Sequence, residues 1–114
     1  MSEDEILASW DESVELLDAY EPLLSESQRK NLGLYFRYNL SLSEIAEECG
    51  LSRAAVFDAV KKGLRKLHHY EETLHLVRLT RASREAVEGV EGANSLEEAR
   101  EKIRILKEEV RDGI

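Results

Sequence analysis

The chain has 114 residues, a single cysteine and a formal net charge of −8. It is therefore sized for one domain, or one domain with a helical appendage, burying roughly two-thirds of its unfolded surface without disulfide or metal. No apolar run approaches the ~20 residues of a membrane span and no signal-peptide pattern opens the chain, which predicts a soluble cytoplasmic protein.

Gly and Pro are sparse and β-branched alternation is absent, so the elements are all helical. Ser2-x-x-Glu5 forms a capping box for a first helix with Ile6, Trp10, Val14 and Leu17 on one face, ended by Pro22. Ser25-x-x-Gln28 opens a second helix through Leu32, Leu34, Tyr35 and Phe36 to about Asn39. Ser41-x-x-Glu44 caps a short third helix that stops at Gly50, and Ser52 opens the fourth. From Ala54 to Glu88 there is no proline and Gly63 is the only glycine, which predicts one long helix or two nearly continuous ones, broken at Gly89 and Gly92. Ser95-x-x-Glu98 then caps a last helix. The resulting division is an acidic N-terminal helix (1–24), a helix-turn-helix domain (25–68) and a C-terminal helical extension for dimerisation (69–114).

The stretch SLSEIAEECGLSRAAVFDAV, from Ser41 to Val60, fits a helix-turn-helix template position by position. Ile45 and Ala46 supply an apolar and then a small residue where the two helices cross. Gly50 stands at the turn, where the backbone needs φ > 0. Leu51 is expected to fill the wedge between the helices, Ser52 to N-cap the second helix, and Val56 to anchor it. Cys49, at the end of the first motif helix, reads as a packed small residue rather than a reactive thiol.

Charge supports the same region. Met1–Gln28 carries a net of −9, Arg29–His69 a net of +4 and Tyr70–Ile114 a net of −3. Phosphate binding follows local rather than total charge, so the acidic balance does not exclude nucleic acid. It does weaken the case, because a strong binder usually shows a basic domain. The exposed face of the second motif helix carries Arg53, Ala54, Phe57, Asp58, Lys61, Lys62, Arg65 and Lys66. Arg53 can reach a phosphate or a guanine edge, and Lys61, Lys62, Arg65 and Lys66 suit phosphate contact or simple solvation. Phe57 and Asp58 fit duplex readout badly: an aspartate repels phosphate, whereas an exposed aromatic suits an unpaired base or a protein surface. Arg29, Lys30 and Arg37 on the preceding helix would extend the positive surface, and Tyr35, Phe36 and Tyr38 read as packing residues. The acidic N-terminal helix reads as a solvated structural helix.

Leu96, Ala99, Ile103, Leu106 and Val110 step by three and four, an a/d heptad seam over two heptads. The seam either packs on the long helix of the same chain or joins two chains. With Leu64, Leu67, Leu74, Leu76, Val77 and Leu79 there is more apolar surface than a small monomer needs, which favours a homodimer with the seam as its interface. No Gly-rich phosphate loop, HExxH or CxxC occurs, so no enzyme and no cofactor are expected. His68 with Glu72, or Glu71 with His75, would supply two metal ligands where three or four are needed, so no metal is expected either.

The run from Leu24 to Leu76 resembles the YlxM-type helix-turn-helix, DNA-binding proteins of bacteria, which themselves resemble region 4 of sigma-70 factors. The resemblance is carried by Gln28-Arg29, Tyr35-Phe36, the run Ser43 to Glu48, Ser52-Arg53-x-Ala55-Val56-Phe57-Asp58, and Tyr70-Glu71-Glu72 with Leu74-His75-Leu76. It implies an all-helical, dimeric protein linked to the signal recognition particle pathway through contacts with the particle's RNA or its GTPase. The acidic Met1–Glu12 is longer than the resemblance implies. Two readings follow. The first is a non-enzymatic accessory of the signal recognition particle that binds its RNA or GTPase, favoured by Phe57, Asp58 and the low pI. The alternative is a dimeric, sequence-specific regulator on duplex DNA, favoured by the clean motif.

Overall fold

The computed structural model describes residues 10–112, and no strand occurs among them. The elements are α1 (Trp10–Tyr20), a 3-10 turn (Glu21–Leu23), α2 (Glu26–Phe36), α3 (Leu42–Cys49), α4 (Arg53–Leu74), α5 (Leu76–Glu91) and α6 (Leu96–Asp112). They fall into two compact units, the first reaching Tyr70 and the second starting at Glu71. The capping box expected at Ser2 and Glu5, and Ile6, lie outside the described residues.

In the first unit α1 buries Ser13, Leu16, Leu17 and Tyr20. Trp10 sets its ring 5.3 Å from Tyr35 and 4.8 Å from Phe36, whereas Val14 is only half-buried. Pro22 sits in the 3-10 turn, where its fixed φ suits the tight geometry and its missing N–H costs nothing. The Tyr70 hydroxyl donates to the Leu23 carbonyl at 3.3 Å, tying α4 to that turn. Helix α2 opens with the expected capping box: Ser25 Oγ accepts from the Gln28 N–H and Gln28 Oε1 accepts from the Ser25 N–H, both at 3.2 Å. It ends at Phe36, earlier than expected, because the Tyr38 N–H turns back to the Gly33 carbonyl at 3.2 Å and Asn39 takes a left-handed φ of 55°.

The long α4 holds this unit together. Val56, Val60, Leu64 and Leu67 are fully buried at i, i+4, i+8 and i+11, one stripe of a 3.6-residue period. Each contributes about 1.5–3 kcal/mol by burial. Gly63 explains itself here: a Cβ would stand 2.8 Å from Leu32 Cδ1, so the Leu32 side chain already fills the space a larger residue would need.

The second unit is a helical hairpin of α5 and α6. The uninterrupted run expected from Ala54 breaks at His75, which adopts φ 54° and ψ 28° without proline or glycine nearby. The broken end is repaired by Glu71, whose carboxylate accepts from the Val77 N–H at 2.9 Å and the Arg78 N–H at 3.0 Å. Two donors that a helix N-terminus leaves unsatisfied thereby find a partner. Gly89, expected to break the helix, lies inside α5, where the stem of Lys102 passes so closely that a Cβ would meet its Cγ at 2.9 Å. Gly92 alone closes α5. Ser95 caps α6 by accepting from the Glu98 N–H at 3.1 Å, and Arg78 reaches Glu109 across the hairpin at 3.1 Å. Among the described residues of this unit only Val77 and Ala86 are buried.

The glycines give a test of opposite signs. Gly50→Ala is expected to destabilise by about 1–2 kcal/mol, since its φ of 69° penalises a Cβ. Gly33→Ala is expected to stabilise by roughly 0.5–1 kcal/mol, because a Cβ there meets nothing within 4 Å. Urea unfolding followed by circular dichroism reads both, and equal signs would contradict the assignment.

Candidate nucleic-acid interface

Helices α3 and α4 build the helix-turn-helix from capping chemistry. Ser41 Oγ accepts from the Glu44 N–H and Glu44 Oε1 from the Ser41 N–H, both at 3.1 Å. Leu42, Ile45 and Ala46 face inward, and Gly50 ends α3 in the left-handed region. Ser52 Oγ then accepts from the Ala55 N–H at 3.0 Å, opening α4. Of the expected motif core, Ile45, Ala46 and Val56 are buried and Gly50 turns as its role requires. Leu51 corrects the expectation: it is 45% exposed. Its N–H is drawn back to the Ala46 carbonyl at 2.9 Å, which fixes the turn but leaves the side chain outside the crossing. Cys49 is half-buried, with its thiol 3.9 Å from Asn31 Oδ1, in keeping with a packing role.

The expected residues lie along the solvent side of α4, with Phe57 and Lys61 on one flank and Lys66 on the other. Arg53, Ala54, Lys62, Arg65 and Lys66 are exposed, and Phe57, Asp58 and Lys61 are half-buried. Lys61 Nζ lies 5.6 Å from the centre of the Phe57 ring, a cation–π arrangement that fixes both side chains. Lys62 Nζ is 3.0 Å from Asp58 Oδ2, one turn away. This hydrogen bond holds the Asp58 carboxyl below the usual carboxylate range, helped by the charges of Lys62, Lys61 and Arg65 against an opposing loss of hydration. Lys66 reaches the Gln28 side-chain oxygen at 3.4 Å, so the basic strip of α4 abuts the start of α2.

Not every predicted cation joins this surface. Arg37 spans Asp18 at 2.8 Å and Glu21 at 2.7 Å. The Glu21 hydrogen bond, with Asp18 adding, raises its pKa still further. With both terminal guanidinium nitrogens engaged, Arg37 braces α1 and the 3-10 turn against α2 instead of extending the positive face. Tyr38 also departs from expectation: it is 73% exposed rather than packed, because α2 has already ended. The signal for this was Asn39, a residue that tolerates the left-handed conformation and marks the stop.

The paired His and Glu residues serve other ends. Glu71 caps α5, and His68 Nδ1 lies 4.0 Å from Glu12. Among the described residues no three metal-ligating side chains gather, and no helix is long and apolar enough to cross a membrane. In the second unit the heptad seam stays open: Leu96 is 69% exposed, Ile103 46% and Val110 41%. Ala99 and Leu106 are half-buried. Of the seam, Leu106 lines the crevice between α5 and α6 beside Lys102 and Glu109, while Leu96, Ile103 and Val110 remain exposed.

Residues 10–109 match the sequence model of the family described as "Putative helix-turn-helix protein, YlxM / p13 like". A UPF0122 protein of Clostridium kluyveri is 50% identical over 62 residues, covering 54% of this chain and 56% of that protein. One from Halalkalibacterium halodurans is 48% identical over 62 residues, covering 54% and 57%. One from Fusobacterium nucleatum is 40% identical over 74 residues, covering 65% and 72%. The chain thus spans about half the length of the first two relatives.

The Asp58–Lys62 pair is testable by carbon-detected NMR titration. The Asp58 midpoint is expected below the ~3.9 of a free aspartate, so the pair is intact at neutral pH and lost as pH falls through that lowered midpoint. Lys62→Met should raise the midpoint toward the free value; an unchanged midpoint would show that Lys62 is not the cause.

Proposed function

The chain belongs to the YlxM/p13-like helix-turn-helix family, and from that premise we propose that it is a non-enzymatic, nucleic-acid-binding accessory protein whose contact surface is the outward face of α4. The residues assigned to that surface are Arg53, Ala54, Phe57, Lys61, Lys62 and Arg65. The observation that carries the reading is the Phe57–Lys61 pair within a basic strip, which offers a flat apolar ring and cations side by side. That combination suits an unpaired base and its phosphates better than the edges of a regular duplex. RNA is accordingly the proposed ligand, and Asp58 is the element that disfavours unselective phosphate binding.

The cellular setting we propose, the signal recognition particle pathway, has its support in the sequence resemblance. Within it the particle's RNA is the nucleic-acid partner and its GTPase the protein to test. A second reading, a regulator on duplex DNA, is favoured by the turn geometry at Gly50 and Ser52, which presents the start of α4 as major-groove readers do.

A homodimer through α6 completes the proposal. A hairpin with two buried side chains and an exposed seam of Leu96, Ile103 and Val110 leaves an apolar strip that a second copy would cover.

Titration of the protein against signal recognition particle RNA and a random duplex pool tests the ligand. RNA binding is expected to survive moderate salt and to fall at least tenfold in Lys61→Glu/Lys62→Glu, with the salt slope reduced by about 1 per lysine. Enrichment of one DNA sequence instead would establish the regulator. Light scattering tests the dimer: the protein is expected at twice the mass of one chain, and Ile103→Glu at the mass of one. A monomeric parent protein would end that part of the proposal.

A further inference from the structure

The hairpin of α5 and α6 has two unlike sides. One is a crevice of about 570 Å³, bordered by Arg78, Arg81 and Glu85 of α5 and by Lys102, Ile105 and Glu109 of α6. Leu106 lies between the sides, bordering both this crevice and the depression around Ile103 and Val110. On α5, Ala86 is buried and Glu85 borders the crevice, so helix spacing turns Val87 to the opposite side. Leu76, Val87 and Val90 of α5 and Leu96, Ile103 and Val110 of α6 share that second side, and all six are exposed. Val87, at 56%, is more open than Ile103. The apolar side is therefore two helices wide, and the heptad seam is half of it.

Its two edges differ in charge. Along the outer edge of α6, Arg100, Arg104, Lys107 and Arg111 follow one another at helical spacing and border the same depressions as Ile103 and Val110. Arg104 is engaged by Glu101 and Glu108, whereas Arg100 and Lys107 form no ion pair among the described residues. Along the outer edge of α5 stand Arg84, Glu88 and Glu91, one cation against two acids, and these too form no ion pair among the described residues.

Two copies of an antiparallel hairpin can close face to face about a two-fold axis in two aligned ways. With the axis across the helices, α6 covers the partner's α6 and two wholly basic edges meet. With the axis along the helices, α6 covers the partner's α5, and the basic edge meets the one that holds the acids. The second way also fixes the register, because rotation about that axis leaves every residue at its own height. Gly89 stands level with Lys102, where a Cβ would meet the lysine stem. Two residues nearer the turn on each helix, Glu91 is level with Arg100. Arg100 of one copy therefore faces Glu91 of the other, twice by symmetry, while Lys107 comes level with Arg84 and within a turn of Glu88.

We infer that the hairpin is half of a four-helix bundle completed by a second copy of this chain, in which the apolar side of α6 packs on the partner's α5 and Arg100 pairs with the partner's Glu91. The inference rests on the homodimer proposed above and adds what the seam of α6 alone does not decide: α5 belongs to the interface, and the two α6 helices do not lie side by side.

Sedimentation velocity of the full chain over a concentration series tests it. Val87→Glu is expected to give the mass of one chain, as Ile103→Glu does. Arg100→Glu and Glu91→Arg should each raise the dimer dissociation constant roughly 2- to 30-fold, two symmetric pairs being lost at once. Arg100→Glu/Glu91→Arg should recover most of that loss. In a Cys49→Ala background, a mixture of Arg100→Cys and Glu91→Cys chains should form an intermolecular disulfide that neither chain forms alone. Both positions are exposed, so these variants keep the test decisive even where Val87→Glu unfolds the hairpin. A dimer unaffected by Val87→Glu, a double reversal no better than the single ones, or self-linking of Arg100→Cys would overturn the arrangement and leave the homodimer standing. A parent protein that stays monomeric throughout would end both.

Discussion

The crossing of α4 over α2 at Gly63 is the constraint on which the first unit depends. With Leu32 filling the space a Cβ would need, α4 seats on the Leu32 side chain, and Val60, Leu64 and Leu67 are fully buried. Because those residues occupy one stripe of α4, the opposite stripe is left outward, and the periodicity that builds the core also decides which residues remain available for a ligand. Asp58, Lys62 and Arg65 lie opposite that stripe, while Phe57 and Lys61 flank it and stay half-buried. The exposed basic face of α4 is a geometric consequence of the core, not a separate element attached to it.

Charge pairing then sorts the outward residues. Arg37 is spent on Asp18 and Glu21, Lys62 on Asp58, Arg78 on Glu109, and Arg104 on Glu101 and Glu108. Exposed pairs of this kind contribute little to stability, but each lowers the local field that a phosphate would meet. An incoming phosphate competes with Asp58 for Lys62, whereas among the described residues Arg29 and Lys30 form no ion pair, with Glu26 one turn before them. Affinity on such a surface is set less by the number of cations than by how many of them have no carboxylate within reach.

Much of this was legible in the residues themselves. The serine caps at Ser25, Ser41, Ser52 and Ser95 and the turn at Gly50 are local signals, complete within four or five residues, and the folded chain uses each as its chemistry suggests. What sequence reasoning missed depends on partners far along the chain or on backbone states that no single residue type announces. Gly89 looks like a helix breaker until Lys102 is seen passing over it. Arg37 looks like a ligand-binding cation until Asp18 and Glu21 close on it. His75 has no reason in its own composition to turn left-handed; the Glu71 carboxylate four residues earlier supplies one by capping the helix that follows. Leu51 and Tyr38 read as inward because apolar and aromatic side chains usually are. Both sit just past a helix end, where backbone hydrogen bonds rather than burial fix the direction of the chain.

The sparsely buried hairpin has a thermodynamic meaning of its own. Two buried side chains supply a small part of what ordering some forty residues costs. A second copy covering Leu96, Ile103 and Val110, as proposed, would contribute to the folding free energy of the hairpin as well as to binding. Stability of that kind would obey mass action, growing with the logarithm of the covering partner's concentration and fading on dilution. The melting temperature of α5 and α6 would then be a property of the solution as much as of the sequence.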